Sequence, residues 1–127
     1  MARNEKPQFA GLQTLKREHS TQISKFQDWA RRGYGDFHHN HYDWWAFPID
    51  EPSSKGFRYV VLKGDIEELK QDAEFMDRYT QGLKLLSASW GWDINEACPL
   101  SNVTEHQRWQ VFVAIIPPFR ILLAACL

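Results

Sequence analysis

A chain of 127 residues has the length of one domain, and its 43% hydrophobic content is enough for a core without a disulfide framework or a structural metal. The net charge of −1 excludes a strong overall preference for nucleic acid. The two cysteines, Cys98 and Cys126, lack the close spacing of a zinc pattern, and the first residues lack the apolar run of a signal peptide. We therefore predict reduced thiols and a cytoplasmic protein.

The predicted fold class is α+β. Residues 1–8 are predicted to be a flexible N-terminal lead-in, and residues 9–127 to form a single domain. Apolar residues three and four positions apart, with His19 filling a gap in the stripe, predict an amphipathic helix near residues 12–32. Gly33 follows two arginines and accepts the left-handed conformation of a helix end, so the helix is predicted to stop there.

Three short segments predict strands, near residues 44–47, 57–62 and 109–116. The segment 57–62 has the clearest pattern, because β-branched and aromatic residues follow one another in a short run. Segment 109–116 also follows a helix-start signal at Thr104 and Gln107, and we prefer the strand there. Since a lone strand is not stable, we predict a small antiparallel sheet packed against the helices.

A second amphipathic helix is predicted near residues 65–90. Asp65 and Glu68 have the spacing of a capping box at a helix start, and apolar residues then recur at near-heptad spacing. Gly82 costs about 1 kcal/mol relative to alanine inside a helix, so the helix could break there. The segment Trp90-Gly91-Trp92 ends it.

The C-terminal tail, residues 117–127, begins with two prolines and is apolar except for Arg120. A membrane-spanning helix needs about 20 unbroken apolar residues, so we predict no membrane segment. The tail is expected to dock into the core, with a contact between two copies in a homodimer as the alternative.

The most unusual stretch is DFHHNHYDWW, residues 36–45. In an extended chain His39 and His41 point to the same face, and imidazole is a good ligand for zinc and other transition metals. Together with Asp43 they form a candidate metal site. The sequence lacks the second ligand cluster that makes a zinc pattern persuasive. A metal-binding protein or metal-dependent enzyme that uses the cluster His38, His39 and His41 is therefore the second hypothesis.

The leading hypothesis is a non-enzymatic module that binds a protein partner or a small ligand. Aromatic residues make up 14% of the chain, and Trp and Tyr are enriched at binding hot spots as well as in cores. The sequence contains no phosphate-binding loop and no nucleophile elbow. The predicted contact residues are His38, His39, His41, Tyr42, Trp44, Trp45, Trp90 and Trp92.

Nucleic-acid binding is the third and least favoured hypothesis. Residues 1–33 contain seven Lys/Arg against three Asp/Glu, a balance of +4, but the rest of the chain is acidic. The candidate phosphate contacts are Lys16, Arg17, Lys25, Arg31 and Arg32.

Overall fold

The computed structural model describes residues 1–40 and 46–100, and this part of the chain is mostly helical. It contains four helices, which are α1 (Leu12–Arg31), α2 (Gly35–His39), α3 (Lys63–Gln71) and α4 (Ala73–Ser89). Two segments of two residues each, β1 (Trp92–Asp93) and β2 (Cys98–Pro99), pair in antiparallel orientation after α4. No helix in the described residues is both long and apolar enough to cross a membrane.

The predicted α+β fold with an antiparallel sheet is wrong. Residues 57–62 form turns and irregular chain that enters α3, although their composition favours a strand. Ala46 and Phe47, the described part of the predicted strand 44–47, are buried in a short helical turn and bend. The predicted strand 109–116 and the tail 117–127 lie outside the described residues.

Long-range hydrogen bonds explain why residues 57–62 do not form a strand. The side chain of Asn4 donates to the carbonyls of Phe57 and Val60, at 3.0 and 2.8 Å. The backbone of Val61 donates to the Ile49 carbonyl at 3.0 Å. These backbone groups are therefore satisfied without a neighbouring strand, and the apolar run is explained by the burial of Val60 and Val61.

The helix predicted near residues 12–32 is present as α1. Its buried face comprises Leu15, His19, Gln22, Ile23, Phe26 and Trp29, at the spacing expected for one side of a helix. The predicted stop is also confirmed, because Gly33 follows the helix with a φ of 93° and donates to the Ala30 carbonyl at 3.1 Å.

The helix predicted near residues 65–90 is divided into α3 and α4 at Asp72. Asp72 ends α3 and caps the start of α4, where its Oδ1 accepts a hydrogen bond of 3.1 Å from the backbone of Phe75. The predicted capping box of Asp65 with Glu68 is wrong, since Asp65 already lies in the first turn of α3. The helix does not break at Gly82, which lies inside α4.

The core forms where α1 and α4 pack together, with α2 and the chain around residue 47 closing one side. The ring of Phe26 lies 4.9 Å from that of Phe37 and 6.1 Å from that of Phe47. Gly82 allows the two long helices to approach closely, since a Cβ atom at this position would lie 2.7 Å from Cδ1 of Ile23.

Candidate functional site

His38 and Trp90 are the predicted contact residues that the structure brings together. Tyr34 has a φ of 71°, and this left-handed turn redirects the chain from α1 into the short helix α2. His38 of α2 then reaches the end of α4, where its Nε2 lies 2.9 Å from the Ser89 carbonyl. Its ring meets Trp90 edge-on, with centroids 4.8 Å apart. Since a carbonyl only accepts, Nε2 donates, and this contact fixes the tautomer of His38.

Two more of the predicted contact residues belong to the described part of the chain. His39 is exposed on α2, and Trp92 is half-buried in β1. The other predicted residues lie outside the described ranges, and these are His41, Tyr42, Trp44 and Trp45.

The zinc hypothesis stays a prediction. Within residues 1–40 and 46–100, no three His, Cys, Asp or Glu side chains are grouped so that they could hold a metal ion. His39 belongs to the described residues, whereas His41 and Asp43 do not. The Nε2 atom of His38 is committed to the Ser89 carbonyl, so this nitrogen is not a ligand atom in the structure.

Ion pairs compensate much of the positive charge on α1. Lys16 Nζ lies 2.8 Å from Asp72, and the guanidinium groups of Arg31 and Arg32 lie 2.8 and 3.3 Å from Asp28. The hydrogen bond from Arg31 and the charge of Arg32 hold the pKa of Asp28 below its ordinary value. Paired cations attract phosphate less strongly, so these contacts argue against the nucleic-acid hypothesis.

Sequence reasoning missed a cleft of about 380 Å³ next to the start of α3. Residues 3–7 form one wall of this cleft, and Asp50, Phe57, Val60 and Leu62 line the other. No local pattern indicates it, because the two walls are about fifty residues apart in the sequence.

Asn4 holds the two walls of the cleft together. This side chain is only 8% exposed, and besides its bonds to the carbonyls of Phe57 and Val60 it accepts from the backbone of Lys6 at 3.0 Å. Its own backbone donates to Oδ2 of Asp65 at 2.8 Å. The first eight residues, which we expected to be a flexible lead-in, are therefore attached to the domain at Asn4.

The cleft has an apolar centre and a charged rim. Phe57 is 38% exposed and, with Met1, is one of two large hydrophobic side chains exposed in the described residues. The ammonium group of Lys6 lies 5.0 Å from the centroid of the Phe57 ring, at cation–π distance. Arg3 lies 3.6 Å from Glu68 at the edge of the cleft.

A second feature that sequence reasoning missed is the state of His19 in the core. Its side chain is fully buried between α1 and α4, and its ring lies 4.6 Å from that of Phe75 and 6.4 Å from that of Tyr79. Burial, and secondarily the charge of Arg78, lowers its pKa from 6.5 to about 4. His19 is therefore a neutral core residue at neutral pH.

In comparisons with known proteins, no family model, curated protein or solved structure matches this chain.

Proposed function

We propose that this domain is a non-enzymatic protein-interaction module, and that its cleft between residues 3–7 and 50–62 receives an apolar or aromatic side chain of a partner. The observation that carries this proposal is the exposed ring of Phe57, which forms the apolar floor of the cleft together with Val60 and Leu62. A hydrophobic centre surrounded by a polar rim is typical of protein interfaces. Clefts of about 300–1,000 Å³ are also the usual size of ligand sites, which suits an inserted side chain.

The charges on the rim support a peptide as the occupant. Arg3 and Lys6 supply positive charge, whereas Glu5 and Asp50 supply negative charge. A peptide that inserts one apolar side chain can place groups of both signs on either side of it. Mixed rim charges of this kind contribute more to specificity than to affinity, so the apolar anchor supplies most of the binding energy.

Phe57 is the residue on which the partner's anchor would pack. Lys6 lies over the ring and, through the cation–π contact, favours one orientation of it. Because Asn4 holds the backbone carbonyl of Phe57, the base of the aromatic side chain is also fixed before binding. A preorganised anchor site of this kind avoids part of the ordering cost of association.

The aromatic and histidine-rich segment, residues 36–45, is the alternative contact surface for the same kind of module. The bond of His38 to Ser89 and its contact with Trp90 hold the start of this segment against α4. His39 is exposed in this segment, so a substitution there tests the alternative.

The test is selection of a random displayed-peptide library on the wild-type domain, followed by affinity measurements on two variants. We expect the selected peptides to share a large apolar residue and to bind Phe57→Ser about 30-fold more weakly, the effect of losing a hot spot worth about 2 kcal/mol. The matched control is His39→Ser, which changes an exposed ring on the other surface and should leave binding unchanged. Amide NMR shifts on binding should concentrate at Phe57, Val60 and Leu62.

Two results would contradict the cleft as the binding site. If His39→Ser weakens binding and Phe57→Ser does not, the contact surface is the histidine-rich segment of residues 36–45. If neither variant affects the selected peptides, or if no peptide is selected, the interaction proposal fails for both surfaces.

A further inference from the structure

His19 lies at the contact between helices α1 and α4, with no exposed surface. The Phe75 ring is tilted against its imidazole, and the Tyr79 ring is nearly parallel to it. Within residues 1–40 and 46–100, neither ring nitrogen of His19 has a hydrogen-bond partner. A buried polar group without a partner costs free energy, and adding a proton to it raises that cost.

Most of the surroundings of His19 oppose a positive charge on its ring. Arg78 on α4 acts on it as a like charge, and the aromatic rings of α4 exclude water. From the chain before Pro48, the Ala46 carbonyl favours the protonated form slightly, although its geometry falls short of a hydrogen bond. On α1 itself, the neighbouring carboxylate of Glu18 is directed towards Arg58, at 4.0 Å.

We propose that His19 makes the interface between α1 and α4 acid-sensitive, so that protonation of this one side chain loosens the packing of the helices and exposes the aromatic core at Phe75 and Tyr79. This inference is independent of the proposed binding cleft, because it rests on the core contact between the two helices.

The direction of the effect follows from proton uptake. The unfolded chain binds a proton at His19 below its ordinary pKa of 6.5, whereas burial holds the folded pKa at about 4. Neutral His19 therefore makes its full contribution to the stability of the folded state above pH 6.5. This contribution to the free energy of unfolding is lost as the pH falls from 6.5 towards 4. Few carboxylates change charge above about pH 5.5, so histidine dominates the upper part of this window.

The test compares urea unfolding at about pH 7 and about pH 5.5 for the wild type and for His19→Leu. We expect the equilibrium constant for unfolding of the wild type to rise about eightfold through His19 over this interval, and the leucine variant to lack this eightfold component. The control is His39→Leu, the same substitution at an exposed histidine, which should retain it. At lower pH, an apolar dye that detects loosened cores should bind the wild type before it binds His19→Leu.

A second measurement needs no variant. An NMR titration of the His19 ring in the wild-type protein should give a pKa of about 4. Titration near 6.5, or a pH dependence that is the same in the wild type and His19→Leu, would overturn the proposal. If His19→Leu does not fold, the ring titration alone decides the question.

Discussion

Replacing Gly82 by alanine should destabilise the fold, although alanine is the better helix former. Gly82 lies inside α4 and faces Ile23 of α1. A Cβ atom at this position would lie 2.7 Å from Cδ1 of Ile23, which is too close for two carbon atoms, and 3.9 Å from Cγ1, which is an ordinary contact. The clash is therefore with one methyl group at the end of one side chain.

The magnitude follows from two opposing effects. Alanine in place of glycine inside a helix gains about 1 kcal/mol of helix propensity. Forcing an extra methyl group into a packed core typically costs about 1–3 kcal/mol, and Ile23 is only 2% exposed, so it has little room to move. We expect Gly82→Ala to lower the free energy of unfolding by about 1 kcal/mol.

The substitution Ile23→Val tests this reasoning, because it removes Cδ1. Alone it should cost about 1 kcal/mol as a lost core methyl group. In the valine background, Gly82→Ala should instead gain about 1 kcal/mol, since the clash is gone and the helix propensity remains. Urea unfolding of the four proteins should therefore show a coupling of about 2 kcal/mol between the two positions. If Gly82→Ala has the same effect in both backgrounds, the close approach of α1 and α4 at this position is refuted.

Two further predictions concern the polar contacts of Asp72 and Asn4, and both are measured by urea unfolding. Asp72→Ala should lower the free energy of unfolding by about 1–2 kcal/mol, because it removes the cap on the backbone of Phe75. Asp72→Asn keeps that acceptor and should lower the free energy of unfolding by less. Equal losses in the two variants would show that the cap is not the important contact of Asp72. The hydrogen bond from Lys16, and then that from Phe75, holds the pKa of Asp72 below its ordinary value. The stability that ionised Asp72 gives the wild type should therefore be lost as the pH falls through that lowered pKa, whereas Asp72→Asn should show no such loss. Asn4→Ala should lower the free energy of unfolding by about 2 kcal/mol, because two backbone carbonyls lose their donor. Asn4→Asp should lower it by at least as much. A loss below about 0.5 kcal/mol would contradict the role of Asn4.

Part of the fold could be predicted from the sequence because it depends on local spacing. The buried face of α1 follows directly from apolar residues three and four positions apart, and Gly33 ends the helix through its own backbone freedom. The division of the second helical region at Asp72 has a local signal in the sequence, since aspartate is a preferred N-cap residue.

The error at residues 57–62 has a different origin. Strand propensity describes side chains that fit a half-buried surface, and Val60 and Val61 are indeed buried. The partner for the backbone is a side chain from the beginning of the chain, Asn4, and no local pattern in the sequence indicates that choice.

The candidate sites were predictable to different degrees. The position of His19 in the apolar stripe already predicted a place on the buried face of α1, but its lack of a hydrogen-bond partner depends on α4 and on the chain near Ala46. The contact of His38 with Trp90 joins two residues of the predicted contact set, although their sequence positions do not indicate that they touch each other. The cleft was not predictable, because each of its walls is unremarkable until Asn4 joins them.

The way in which Asn4 closes the cleft also bears on the order of folding. Its bonds to Phe57, Val60 and Asp65 connect residues that are 53, 56 and 61 positions apart, so a long loop must close before they can form. Contacts within each helix and between α3 and α4 involve much shorter loops and are expected to form earlier. The cleft should therefore assemble among the last parts of the domain, and a partner that binds there would recognise only chains that have completed folding.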